Sequence, residues 1–342
     1  MSDVAAVAAV SHQTVSRVLN GHPSVRPDTR ERVTAAISQL GYRRNSAARA
    51  LVTRRTGTIG VLTTGSALYG PTSTLMALEE AAREAGYFVS VATIRQFDAR
   101  TMDGVLEHFM AQGVEAISVI APQDDVAAAV DAFRSPVPVV LIAARPESGS
   151  VSPDGARPHA TISVSVDQRL GARLATEHLL DLGHTSVLHL SGPPDWFDAR
   201  EREVGWRQAL LAAGRPVPEV LVCDWSADRG YEAGRSIVER LQAGNGPSAV
   251  FASNDQLALG LLHAFAEAGV DVPGEVSVVG FDDVQGSEHF IPPLTTVRQP
   301  FHELGRRSLA VMLDALTAAP DGAGRELIRP ALIVRSSTAP PS

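Results

Sequence analysis

Residues 10–33, VSHQTVSRVLNGHPSVRPDTRERV, set Ser11, His12, Gln13, Thr14, Ser16, Arg17 and Asn20 around an apolar seam of only Val15, Val18 and Leu19. Ser11 stands where a helix N-cap is expected and Gly21 where a helix ends. The short run Asp3–Ala8 precedes it, leaving Ala9-Val10 for a tight turn. A further helix starts at Pro27, carries Asp28 and Glu31 near its N-terminal dipole, repeats Val33, Ile37 and Leu40 at helical spacing and stops at Gly41. Helix, tight turn and polar helix together predict a helix-turn-helix. Its second helix carries side chains that match base edges in the major groove, with hydroxyls that reach phosphates. The alternative is a solvated polar helix in a small bundle.

Charge weighs against that alternative. Residues 1–55 hold nine arginines against Asp3, Asp28 and Glu31, a net +6, on a chain of 342 residues whose total is −8. A basic head on an acidic body meets a polyanion through the head alone. All thirty basic residues are arginine, which reads as the codon bias of a GC-rich genome. The single Cys223, beside Asp224, has no internal disulfide partner and reads as a small core residue in a reducing compartment. With no apolar run long enough to span a bilayer and no secretory pattern at the N-terminus, a cytoplasmic protein with no membrane partner is expected.

From Thr58 the texture becomes α/β. The apolar runs TIGVLTT, YFVSVAT, EAISVIA and VPVVLIA alternate with helical stretches. After a polar loop, 148–158, the rhythm resumes with ATISVSV, SVLHLSG, EVLVCDW, SAVFASN and VSVVGFDD. These strands are too continuously apolar for one-sided antiparallel sheets, so two doubly wound parallel-sheet subdomains are expected. Residues 297–316 read as helical and ALIVRSS as a last strand.

Several chemistries fall away. No G-x-G-x-x-G follows the first strand, a chain without lysine has no Walker motif, and G-x-S-x-G is absent. His302-Glu303 begins a zinc-peptidase pattern, but Arg306 stands where the second histidine belongs. The adjacent Asp282 and Asp283 fit ligand binding at a strand end better than acid/base work. Neither a cofactor nor a metal is expected.

The motifs DVAAVAAVSHQTVSRVLNG, VRPDTRERVTAAISQLGYRRN, ASNDQLALG, VSVVGFDD and IPPLTTVRQP together resemble the LacI/GalR family of transcription regulators over nearly the whole chain. The resemblance implies a helix-turn-helix DNA-binding domain at 1–44, a hinge helix and linker at 45–56, and a periplasmic-binding-protein-like core at 57–338 that binds a small sugar and dimerises. The core's chain is expected to cross between subdomains near 159 and again near 286–298 and 318–330. By position, His12, Gln13 and Arg17 resemble base-reading residues, and Thr14, Ser16 and Asn20 their backbone-positioning neighbours. Leu51 resembles the hinge leucine that wedges into the minor groove, which also gives the faceless run SAARALVTRR a partner in its two-fold mate and DNA. In the core, Arg202, Asn254 and Asp282 resemble a polar trio for sugar hydroxyls, with Gln299 nearby and Trp225 and Phe301 as apolar platforms.

The implied function is a repressor without catalysis, dimeric on a near-palindromic operator and released by a small sugar, with a galactoside as the expected effector. A solute-binding protein would share the core but has no use for Arg17 or Leu51, and a sugar-modifying enzyme would need a nucleophile or acid pair that the chain lacks. Four departures from the family pattern stand out. Met1-Ser2-Asp3 opens the first helix without the usual Thr cap. Arg26 replaces a Ser or Thr cap before Pro27. No heptad-bearing tail follows the core, so a dimer is expected. Ala143 stands where a ligand-facing Asp is expected, with Arg145 close enough to supply donors instead.

Overall fold

Apolar spacing closes the head around a small core. Helices α1 (Ser2–Val7), α2 (His12–Leu19) and α3 (Pro27–Gln39) bury Val4, Ala5, Ala8, Val15, Val18, Val33 and Ala36 against one another. Between α1 and α2 the chain reverses through Ala9, at φ 51°. Ser11 Oγ accepts the Thr14 N–H at 3.2 Å, the cap its position predicts. Gly21, at φ 67°, follows α2 in the left-handed region that glycine enters without strain. Neither Met1 nor Arg26 makes a side-chain cap bond, so the first amides of α1 and α3 lack a side-chain acceptor, as their sequences imply.

The computed structural model describes residues 1–19, 21–42, 55–64, 68–94, 99–120, 123–124, 126, 130, 135–144, 162–317 and 325–342. Asn20, Leu51, Arg145, the 148–158 loop and most of the expected hinge helix lie outside these residues. The chain divides into two units, Met1–Thr56 and Gly57–Ser342.

Within the second unit, strands β1 (Thr58–Thr64), β2 (Phe88–Ile94), β3 (Ala116–Ile120), β4 (Val139–Ile142), β5 (Ile162–Val166) and β11 (Arg325–Ile328) form one sheet, ordered β11-β5-β4-β3-β1-β2. All its pairings are parallel. A second sheet, β12-β10-β9-β8-β6-β7, joins β6 (Leu188–Ser191), β7 (Leu221–Val222), β8 (Ala249–Ala252), β9 (Ser277–Asp282), β10 (Thr295–Arg298) and β12 (Ala331–Ile333). There only the β10–β12 pair is antiparallel. Every residue of β3 and of β9 is buried, the signature of strands covered on both faces.

Helices α4 (Tyr69–Glu84), α5 (Ala99–Ala111) and α10 (Phe301–Thr317) cover the first sheet; α6 (Gln168–Asp181), α7 (Phe197–Ala212), α8 (Ala227–Gln242) and α9 (Asp255–Ala268) cover the second. Leu78 of α4, Met312 of α10 and Val140 belong to one buried core, and Phe109 of α5 and Ile117 to another. In the second subdomain Trp206 of α7 shares one buried core with Phe251 and Phe281, and Leu261 of α9 shares another with Val278. The two expected parallel-sheet subdomains are therefore present.

The crossings differ from expectation in place. Residues 162–166 pair with β4 in the first sheet, so the first crossing falls at Asp167 and not near 159. ISVSV looks like a fresh start after a long polar loop, whereas its hydrogen-bond register makes it the close of the first half. The second crossing, at 299–300, follows β10, which occupies 295–298 where helix was expected from 297. The third, at 329–330, joins β11 to β12 within the expected 318–330.

Candidate ligand cleft and nucleic-acid interface

The carboxyl ends of β3, β4, β5, β8 and β9 all face one cavity of about 390 Å³, lined by Ile120, Ile142, Val166, Asn254 and Asp282 among others. Ligands of doubly wound sheets bind at this end of the strands. Arg202, Trp225, Asn254, Asp282, Gln299 and Phe301, all singled out in the sequence, line it together, and so do Gln168, Trp196 and Asp198, which were not.

Four of these groups form a closed polar ring. Arg202 Nε donates to Gln168 Oε1 at 2.8 Å, Gln168 Nε2 to Gln299 Oε1 at 2.8 Å, and Gln299 Nε2 to Asp282 Oδ1 at 2.6 Å. Asp282 Oδ1 faces Arg202 Nη2 at 3.7 Å, closing the circuit. Arg202 and Asp282 are 3% and 7% exposed, so each would be costly to bury without the other. Further support comes from the Ser253 carbonyl, which accepts from Arg202 Nη1, and from the Phe281 ring, whose centroid lies 3.8 Å from the guanidinium carbon. Gln168 and Gln299 sit at the first and second chain crossings, which ties the cleft-facing charges to the segments that join the subdomains.

Adjacent aspartates have opposite environments. Asp282, at φ 114°, and Asp283, at φ 53°, leave β9 in conformations that side chains rarely adopt, a strain worth about 1–3 kcal/mol each. Burial pushes the Asp282 carboxyl up to about 6, against the pull of Arg202 and the Gln299 bond. Behind it, Asp255 accepts from Thr296 Oγ1 at 2.6 Å and from the Val284 N–H at 2.8 Å. Burial and the Asp282 charge raise Asp255 to about 8. Asp283 turns away; burial raises it, but bonds from Arg335 at 2.7 Å and Arg298 at 2.6 Å outweigh that and hold it below the usual carboxylate range. The pair thus splits into one cleft-facing and one structural carboxylate.

Aromatic surface completes the cleft. Trp225 and Trp196 meet edge to face at 5.4 Å between centroids, with Leu68 packed beside them. A Cβ on Gly192 would overlap the Trp225 ring, so only glycine lets the indole settle there. Phe301 meets Tyr69 edge to face at 5.7 Å. Asn254 is busy with the fold: Oδ1 accepts from the Leu257 N–H at 2.8 Å, capping α9, and Nδ2 donates to the Trp225 carbonyl at 3.1 Å. One lone pair and one N–H of its amide remain for an occupant. Gln168 was missed because it reads as an ordinary polar helix start after Asp167. Trp196 and Asp198 were missed because they are single residues in the turn PPDWFDAR; two tryptophans at strand-end loops were the available signal.

In the head, α2 buries Val15 and Val18 and turns His12, Gln13 and Arg17 outward, with Thr14 and Ser16 half-buried beside them. No acid among the described residues pairs with the Arg17 guanidinium. No group of His, Cys, Asp or Glu suited to a metal occurs among the described residues, and no helix among them is long and apolar enough to cross a membrane.

Comparison with known proteins accounts for both units. The model of bacterial regulatory proteins of the lacI family matches residues 1–45, and that of a periplasmic binding protein-like domain matches residues 176–338. The lactose operon repressor of Escherichia coli (strain K12) is 34% identical over 342 residues, covering 99% of this chain and 91% of that protein. The HTH-type transcriptional regulator CelR of Thermobifida fusca is 35% identical, covering 98% of this chain and 96% of its own length. Among solved structures, the lac repressor dimer bound to operator and the anti-inducer ONPF aligns with a TM-score of 0.81 at 32% identity over 98% of both chains. A CelR–cellobiose complex aligns with a TM-score of 0.70 at 32% identity, also over 98% of both. A helix-turn-helix head, two parallel-sheet subdomains and relatives matched end to end place this chain in the LacI family of bacterial regulatory proteins.

Proposed function

We propose that the chain is a cytoplasmic, sugar-responsive transcriptional repressor that binds a near-palindromic operator as a homodimer and performs no catalysis. The polar ring of Arg202, Gln168, Gln299 and Asp282, set beside aromatic rings, carries this reading. Charged and amide groups fixed in place suit the hydroxyls of a sugar, while indole and phenyl faces suit its C–H surface. His12, Gln13 and Arg17 read bases, Thr14, Ser16 and Asn20 hold the backbone, and Leu51 wedges the operator's centre. In the cleft, Trp225, Asn254 and Phe301 join the ring in contacting the effector. Occupancy reorients the subdomains about their crossings, separates the two heads and lowers operator affinity, so one coupling free energy links sugar and DNA.

Similarity to the lactose operon repressor supports a galactoside effector. The pairing of Trp196 with Trp225 favours a second reading, a two-ring glucoside, in line with the cellobiose complex of CelR. Light scattering and footprinting on the DNA upstream of the chain's own reading frame test the assembly. About twice the 36.1 kDa chain mass and two symmetric half-sites are expected. A monomer protecting a single unpaired site contradicts the proposal.

A further inference from the structure

The turn that enters α7 belongs to the second subdomain by sequence but holds on to the first. Phe197, 4% exposed, is buried in a core otherwise built from first-subdomain residues such as Leu62, Val126 and Val130. Around this knob the chain that follows β3 meets the turn directly. Gln123 pairs with Trp196 in an antiparallel bridge, its Nε2 donates to Asp195 Oδ2 at 3.2 Å, and the Asp124 N–H reaches the Asp195 carbonyl at 3.4 Å. Arg200 closes the group. Its two terminal nitrogens donate to the two carboxylate oxygens of Asp124 at 2.5 and 2.8 Å, and Nη1 also donates to the Pro194 carbonyl at 3.1 Å. The guanidinium carbon lies 5.0 Å from the Phe197 ring centroid, so the ion pair sits over the knob. Trp196 links this set to the cavity, because its backbone makes the bridge while its side chain lines the cleft and meets Trp225.

We infer that Phe197 and the Arg200–Asp124 pair form a latch between the subdomains beside the cleft, and that its opening admits small molecules to the cavity. The two parts respond differently to the medium. A buried ring resists separation at any ionic strength, whereas the side chains of Arg200 and Asp124 are 35% and 57% exposed, so added salt screens their attraction. Two parallel N–H···O bonds fix a single geometry for the pair, which lets it register the turn against the first subdomain. Access to the cleft is therefore salt-sensitive. The inference rests on the reading of the cleft as a ligand site, but not on that ligand being a sugar.

Quenching of tryptophan emission by acrylamide, a small neutral probe, tests this on the full chain. Trp196 and Trp225 line the cleft and Trp206 is fully buried, so the quenching constant reports access to the cavity with no effector added. Asp124→Ala should raise that constant about two- to fivefold, the range for losing an exposed ion pair of good geometry. Adding Arg200→Ala to it should change little more, because the two side chains act through one another. Raising NaCl to about 1 M, where the screening length is about 3 Å, should bring the wild type up to Asp124→Ala and leave that variant where it was. Phe197→Ala should raise quenching further at both salt concentrations. Equal quenching of wild type and Asp124→Ala overturns the latch, and so does a salt response of the same size in both. Because no sugar is present, failure of the sugar reading leaves this result intact, and failure of the latch leaves the sugar reading standing.

Discussion

Gln168 Nε2 donates to Gln299 Oε1 at 2.8 Å, and the two residues stand on different crossings between the subdomains. Each amide also holds one cleft-facing charge, Gln168 the Arg202 guanidinium and Gln299 the Asp282 carboxylate. A ligand that draws on Arg202 or Asp282 therefore pulls on both joints at once. This gives the proposed reorientation of the subdomains a physical route, since a second state would have to repack one buried network.

Gln168→Leu should break the circuit, leaving Arg202 Nε and Gln299 Oε1 buried without partners. Each unpaired buried group costs about 1–3 kcal/mol, so the core's midpoint in urea should drop. The ratio of operator affinities without and with effector should shrink as well. Denaturant melts and fluorescence anisotropy on labelled operator check both. Gln168→Glu keeps the acceptor for Arg202 and should retain more of the stability than of the coupling.

Asp255 and Asp282 set a pH dependence. Both bind their protons more tightly in the folded core than in the unfolded chain, toward about 8 and about 6 respectively. Stability from this pair is complete at acid pH below the unfolded carboxylate value of about 4 and is lost as pH rises through the two folded values. Urea unfolding of the core should weaken from pH 4 to 8, and Asp255→Asn should flatten the portion between about 6 and 8. A wild-type profile that rises across that interval, with Asp255→Asn parallel to it, runs counter to this.

Two of the three tryptophans, Trp196 and Trp225, line the cleft, while Trp206 is fully buried in the second subdomain's core. Sugar binding should shift or quench the emission. Trp225→Phe should remove most of the change and Trp206→Phe should keep it. Retention of the full change in Trp225→Phe argues against a sugar stacked on that ring.

Arg17→Ala should weaken operator binding by about 1–3 kcal/mol and relax one base position in each half-site. Competition with single-base operator variants checks it. Equal losses on operator and on random DNA would reduce Arg17 to a phosphate contact.

Much of this was legible in the sequence because burial on both faces makes parallel strands continuous apolar runs, and because a helix that buries only Val15 and Val18 must spend its polar face elsewhere. What was not legible has equally physical causes. The ISVSV strand alternates polar and apolar residues after a long polar loop, so its membership of the first sheet shows only in its register with β4. RELI, the edge strand β11, is short and charged and reads as loop, yet it pairs with β5. Val297 fits a helical spacing with the residues after it, but Gln299-Pro300 separates β10 from α10. In the cleft, Arg202, Trp225, Asn254, Asp282, Gln299 and Phe301 were found by their position in family-like motifs, whereas Trp196 and Asp198 were not. Gln168 gains its place in the ring from what the fold brings opposite it, which spacing along the chain does not encode.

Control of DNA binding by a sugar in this cleft is the step on which the proposed function stands. Its most direct test is the affinity of the full chain for its own upstream operator while galactose, lactose, allolactose, melibiose and glucose-based disaccharides are titrated, in wild type and Asp282→Ala. At least one of these sugars should release the wild type from DNA, and Asp282→Ala should bind the operator normally but not be released. Release of the wild type by none of the sugars but by a purine or a phosphorylated metabolite, or equal release of Asp282→Ala, would contradict it.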